Sequence, residues 1–233
     1  MNKNLLAFLL IAIYFSPILY QLGIVIKERK KGNKLPLKKL ITFSKYSLLI
    51  LVIISIGIGI LSHTNYLNYE KPLAYDQIDK ITFENFRGIE FFQNDLYGNK
   101  QFAYVTTSIE TKTDDNYITV QTLFHPSRSF VYDQHSNNKD LLTHEKYHIK
   151  ITELYSRKIK KRLSELNYSS NDEIKKIIEQ TKQEERTFQK KYDYDTFHSY
   201  VYSEQKKYEK EIDSLLHSLI NFAKPKIRIH EKN

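Results

Sequence analysis

Two stretches of this chain decide most of what it can become. Residues 5–26 (LLAFLLIAIYFSPILYQLGIVI) and 40–61 (LITFSKYSLLILVIISIGIGIL) are each 22 residues long and almost wholly apolar. A helix rises about 1.5 Å per residue, so either stretch spans the roughly 30 Å hydrocarbon layer of a bilayer. Pro17 is tolerable inside such a span, and Lys45 lies near enough to an end to reach the headgroups. A cleaved signal peptide is the competing reading of residues 1–21. Only Lys3 precedes the apolar run, however, and no small-x-small site follows it.

Residues 27–39 (KERKKGNKLPLKK) separate the two runs and hold seven Lys/Arg against one Glu. Lysine and arginine resist translocation, so this short loop is expected in the cytoplasm. Both flanking segments then face outward: a two-span protein of the cytoplasmic membrane with an extracytoplasmic, periplasmic C-terminal domain. Of the overall charge of +9, residues 1–61 supply nine basic groups against one acid, and the remaining chain is nearly balanced. The excess is thus a topology signal, which argues against a nucleic-acid partner and for the lipid bilayer. With no cysteine, any metal site must use histidine and carboxylate.

Residues 62–79 look like a stalk. Beyond them, "KITFENF", "KQFAYVTTSIETK", "NYITVQTLF" and "RSFVYD" are β-branched and aromatic runs separated by "LYGNK" and "KTDDN", which reads as strands and turns from about 80 to 133. A first helix is expected over 139–166, with Leu141, Leu142, Tyr147, Ile151, Leu154 and Tyr155 as its apolar stripe. Ser170 followed by Glu173 fits a capping box for a second, mostly solvated helix over 171–192. A third should begin near 196–199 and bury Val201, Ile212, Leu215, Leu216, Leu219 and Ile220. The soluble part is therefore α+β, an antiparallel sheet followed by a helical half.

The stretch LLTHEKYHIKITEL (141–154) contains His144, Glu145 and His148 in the order H-E-x-x-H. Positions i and i+4 share a helix face, so two imidazoles can converge on one ion. Glu145, about 100° around, can reach a water on that ion without ligating it and take its proton. Chance is the competing explanation for so short a pattern, yet this one falls inside an apolar helix, the context it requires.

A catalytic zinc takes a third protein ligand and keeps one open position. In YDYDTFHSYVYSEQ (192–205), His198 is the expected third ligand, with Asp195 second and Asp193 the other nearby carboxylate. Glu153 lies about 180° around the helix from His144, so it is expected to orient a partner or to pair with a base such as Arg157. Tyr192 and Tyr194 are the tyrosines nearest His198 and the candidates to donate a hydrogen bond to a tetrahedral oxyanion. His63 and His230 are weak candidates, His217 reads as a core histidine, and His125 and His135 flank the last strand.

Four segments, ITFENFRG (81–88), SFV (129–131), LLTHEKYHIKITELYSR (141–157) and YDYDTFHS (192–199), together resemble domain of unknown function 922, a bacterial family of predicted secreted or membrane-linked zinc peptidases. The resemblance spans about residues 80–217. It implies a zincin-like domain over 80–233, metal ligands at His144 and His148, Glu145 as general base, and a role for His198. The chain departs from that pattern at Lys146, Ile149, Lys150 and Ser199; a lysine at 150 replaces an acid that would support a ligand. The expected function is a membrane-anchored peptidase in which Zn²⁺ activates water against a peptide or protein substrate. A strand before the helix, the one with Phe130, would supply an edge for the peptide. The alternative is a non-catalytic binding or assembly module on the same scaffold, motivated by Lys146 and Lys150. A membrane sensor is a third reading, weakened by a cytoplasmic loop of only about 13 residues. Oligomeric state is not legible.

Overall fold

The computed structural model describes residues 3–63, 66, 68–89, 103–114, 117–166 and 170–228. The chain divides into two units, Met1–Ile60 and Leu61–Asn233. The first is a helical hairpin of α1 (Lys3–Arg29) and α2 (Leu35–His63). Both helices are long and apolar enough to cross a membrane. Tyr14 donates to the Ser47 carbonyl at 2.6 Å, and the Ser47 hydroxyl donates back to Tyr14 at 2.8 Å. Polar groups of the two helices thus satisfy one another where no water is needed. The turn between them uses Gly32 at φ +78°, and Asn33 accepts from the Leu35 amide to start α2.

The second unit mixes helices with antiparallel sheet. Strands β3 (Thr107–Asp114) and β4 (Tyr117–Phe124) form a hairpin. The other edge of β4 takes β1 (Leu73–Ala74) opposite Phe124 and Leu123, and β6 (Lys226–Arg228) opposite Tyr117 to Thr119. A separate ribbon pairs β2 (Ala103–Tyr104) with β5 (Phe130–Val131). Along β4 the alternation is regular: Ile118, Val120, Thr122 and Phe124 point inward and are buried.

Against that face lies α3 (Lys139–Ser164), with α4 (Asn171–Thr196) and α5 (Tyr202–Ser218) packed on it in turn. Ile151, Leu154, Tyr155, Ile159 and Leu163 of α3 meet Ile118 and Val120 of the sheet, Ile174 and Ile178 of α4, and Ile212 and Leu216 of α5 in one core. Hydroxyls pair across the sheet–helix seam, Thr122 with Ser156 and Thr107 with Thr152, both at 2.7 Å. Asn138 caps α3 by accepting from the Leu141 amide at 3.0 Å. Ser170 and Glu173 form the expected capping box on α4.

Three local expectations change. "KITFENF" forms 3₁₀ turns, Tyr75–Lys80 and Phe83–Asn85, in place of a strand. Asn85 accepts from the Thr82 amide at 2.9 Å, and this local bond competes with a sheet ladder. Ile78, Ile81, Phe83 and Phe86 then bury together as a second cluster, so the end of the expected stalk, from Leu73 onward, belongs to the folded domain. The third helix starts at Tyr202, later than expected, because Phe197, His198 and Ser199 all take left-handed backbone angles. Val201 and Ile220, expected in the core, are largely exposed. The turn "LYGNK" and the first residues of "KQFAYVTTSIETK" lie outside the described residues.

Gly88 shows why the segment after these turns needs a glycine. Its amide donates to Ser129 O at 2.8 Å, and a Cβ there would stand 2.8 Å from that same backbone oxygen. The helix core is the other point of tight packing. Leu154 is fully buried, and Leu154→Ala should cost about 2–5 kcal/mol, read as a lowered denaturation midpoint of the full chain in detergent.

Candidate metal centre

The first turns of α3 carry His144, Glu145 and His148, and the last turns of α4 pass directly across them. The α4 helix runs to Thr196, four residues further than its charge pattern suggests, and this places Asp193 on the helix opposite the two imidazoles. Asp193 Oδ1 lies 2.9 Å from His148 Nε2 and 3.3 Å from His144 Nε2, and the two Nε2 atoms are 3.2 Å apart. Donors held about 2.0–2.1 Å from a single tetrahedral ion lie about 3.3–3.4 Å from one another. The triangle therefore has the size that one small cation would impose. Although close to both nitrogens, Asp193 Oδ1 receives no hydrogen bond of proper direction from either. His144, His148 and Asp193 form a group that could hold a metal ion.

Supporting contacts fix the ligands. Gln189 Oε1 lies 2.5 Å from His148 Nδ1, so Nδ1 donates to it and Nε2 faces the triangle, where it would ligate a metal once its own proton is lost. The Gln189 amide nitrogen donates in turn to the His148 carbonyl and to Glu185 Oε1, both at 2.9 Å. Thr152 also donates to Glu185, at 3.0 Å. Tyr192 stacks on the His144 ring, with centroids 4.6 Å apart and planes 16° from parallel.

Burial and proximity set the charges. Desolvation pulls His144 down to about 4, only partly offset by Asp193. It pulls on His148 too, but Asp193 outweighs it and lifts that imidazole to about 9. Burial alone would raise Asp193, yet the two histidines hold it well below the carboxylate range. Glu145 is pushed up to about 7 by burial, and its Oε2 is a buried acceptor with no protein partner. The Tyr192 phenol, raised by burial, stays protonated.

The site opens to a cleft of about 300 Å³. It is lined by residues 103–107, by Glu145 and His148 of α3, and by Glu185, Gln189, Asp193 and His198 of α4 and the loop after it. The strand at this cleft is β2; Phe130, expected at the edge, lies in β5, its antiparallel partner.

Other expected residues sit elsewhere. Asp193, where His198 was expected, joins the two imidazoles in the group that could hold a metal ion. The His198 side chain is 57% exposed at the cleft mouth, its Nδ1 3.5 Å from Asp193 Oδ1 and its ring centroid 6.3 Å from that of His144. Three successive left-handed residues hold it there, at roughly 1–2 kcal/mol each. Asp195, the second expectation, turns away to Lys191 at 2.5 Å and Tyr208 at 2.6 Å, because residues two apart on a helix face different directions. Tyr194 is exposed for the same reason. Glu153 is buried away from the cleft in a 2.8 Å pair with Arg157.

His125 bonds Ser108 at 2.7 Å, outside the site, and His217, expected in the core, is solvent-exposed. His230 lies outside the described residues. Lys146 donates to the Asp79 carbonyl at 3.3 Å and Lys150 to Asp213 at 2.8 Å, so neither directs its ammonium at the triangle. Gln189 went unnoticed in the sequence. Its signal was the i, i+4 spacing to Asp193, which counts only once the helix is known to continue.

Two outcomes follow from this geometry. Gln189→Leu removes the acceptor that orients His148 and should weaken any binding of a divalent metal at this group by roughly 10–100-fold in a competition titration. The second concerns the chelated, metal-free chain. Between about pH 4.5 and 6.5, His144 and buried His125, both lowered, make stability rise with pH, while protonated Glu145 makes it fall. His148 is raised when folded, so its stabilisation is complete below about 6.5 and disappears as pH rises through about 9. Thermal melts should therefore decline as pH rises from about 6.5 toward 9. His148→Ala should abolish that alkaline decline.

No family model, curated protein or solved structure matches this chain, so its function has to be read from its own residues.

Proposed function

We propose that the chain is a membrane-anchored, zinc-dependent peptidase of zincin-like architecture whose catalytic domain faces outward from the cytoplasmic membrane. The observation that carries this reading is the convergence of His144 Nε2, His148 Nε2 and Asp193 Oδ1 within 3.3 Å of one another, beside a buried carboxylate with an unpartnered oxygen. Two imidazoles and one carboxylate are a donor set that zinc accepts in catalytic sites, with a fourth position left for water. Bound there, zinc supplies Lewis acidity and lowers the pKa of that water. Glu145 would take the proton of that water at Oε2, its buried oxygen with no protein partner, and return it to the leaving nitrogen. Gln189 orients His148, and Tyr192 holds the His144 ring in place. The cleft beside the three groups, lined by residues 103–107, would receive the substrate. The basic loop 27–39 sets the orientation.

The test is metal analysis of the full chain, purified in mild detergent without chelators. About one zinc per chain is expected, lost in His144→Ala and Asp193→Ala and retained in His198→Ala. Glu145→Gln should keep the metal while peptide hydrolysis falls by roughly 10²–10⁴. A metal-free wild-type chain overturns the proposal. Zinc binding with function unchanged in Glu145→Gln identifies a non-catalytic binding module instead.

A further inference from the structure

The loop joining α4 to α5 carries a surface that peptide hydrolysis leaves unused. Tyr194 and Phe197 are 84% and 65% exposed, and Tyr200, Val201 and Tyr202 follow at the surface. Five large apolar side chains thus lie exposed within nine residues, more than solubility alone favours. The left-handed run at Phe197, His198 and Ser199 holds the loop in this shape, and the Phe197 and Tyr200 rings pack with centroids 5.9 Å apart. His198, from the same loop, lines the cleft, so the patch is a rim of the candidate site.

We infer that this aromatic rim docks into the headgroup layer of a lipid bilayer. Phenylalanine and tyrosine are suited to that layer, because an apolar ring body enters the acyl boundary while the phenol hydroxyl stays hydrated. The tether makes a bilayer the nearest partner. α2 ends at His63, and Asn68 already accepts from the Ser127 hydroxyl of the domain at 3.1 Å, so only residues 64–67 lie between them and could reach about 14 Å at most. With α2 in the membrane, the domain never leaves its vicinity, and docking is an intramolecular event at high effective concentration. Residues 190–210 carry five lysines against four carboxylates, so the attraction does not depend on anionic lipid. Docking in this way brings the cleft mouth to the level of the headgroups.

The inference rests on α1 and α2 lying in a bilayer, and one experiment separates the two. The chain contains no tryptophan, so Phe197→Trp places a single fluorophore on the rim. Tyr202→Trp is a second rim probe, and Tyr117→Trp, on β4, is the control. Each full-length variant is reconstituted into phosphatidylcholine vesicles with and without bromine atoms on the acyl chains. Blue-shifted rim emission that is largely lost to bromolipid, with little loss at Tyr117→Trp, is expected. Co-flotation with the vesicles but no quenching at either rim probe overturns the inference alone. Blue-shifted emission without quenching also overturns it, since a protein surface, a peptide or a second copy, then covers the rim. Equal quenching at Tyr117→Trp overturns it as non-specific. Failure to co-float overturns the bilayer reading and the inference together.

Discussion

A carboxylate and two imidazoles packed within 3.3 Å, with His144 fully buried, are stable only if a positive charge is shared among them. In the metal-free chain that charge is one proton on His148, and burial keeps a second one off His144. A metal ion bound there would have to displace that proton. Much of the domain can be understood as the means of keeping these three side chains together against their desolvation cost.

Helix α3 does most of that work. Its later turns are buried against sheet, α4 and α5, so its backbone is held on several sides by the main core. The same rigidity is passed to its first turns, where His148 lines the cleft and His144 is buried behind it. Polar contacts along its length add direction: Thr152 and Ser156 pair with strand hydroxyls, and Arg157 links Glu153 to the Leu216 carbonyl on α5 at 2.8 Å. Lys150, tied to Asp213, fastens α3 to α5 as well. All three candidate ligands stand on helices, whereas His198, which stands on a strained loop, remains at the mouth.

How much was legible depended on the range of the interaction. The β3–β4 hairpin, α3 and the capping box of α4 are written in local periodicity and in neighbours three or four residues apart. "KITFENF" misled because its β-branched and aromatic composition suits a strand, while a single Thr82–Asn85 bond selects a turn. At the site, the H-E-x-x-H spacing places His144 and His148 without help. The third position depends on where α4 ends and how it crosses α3, and a mostly charged helix gives no apolar signal for either. That uncertainty, at most four residues of helix, separates His198 from Asp193.

By itself, the sequence determined two apolar helices long enough for a bilayer, an antiparallel hairpin, and a helix presenting two histidines and a glutamate on neighbouring faces. These follow from composition and from periods of two and 3.6 residues, which act within a few residues. Only the tertiary structure decided that Asp193 completes the triangle, that Gln189 orients His148, and that Lys146 and Lys150 turn away. Each joins residues on different elements, up to 67 positions apart for Lys146 and Asp79, so its geometry exists only once the helices have packed.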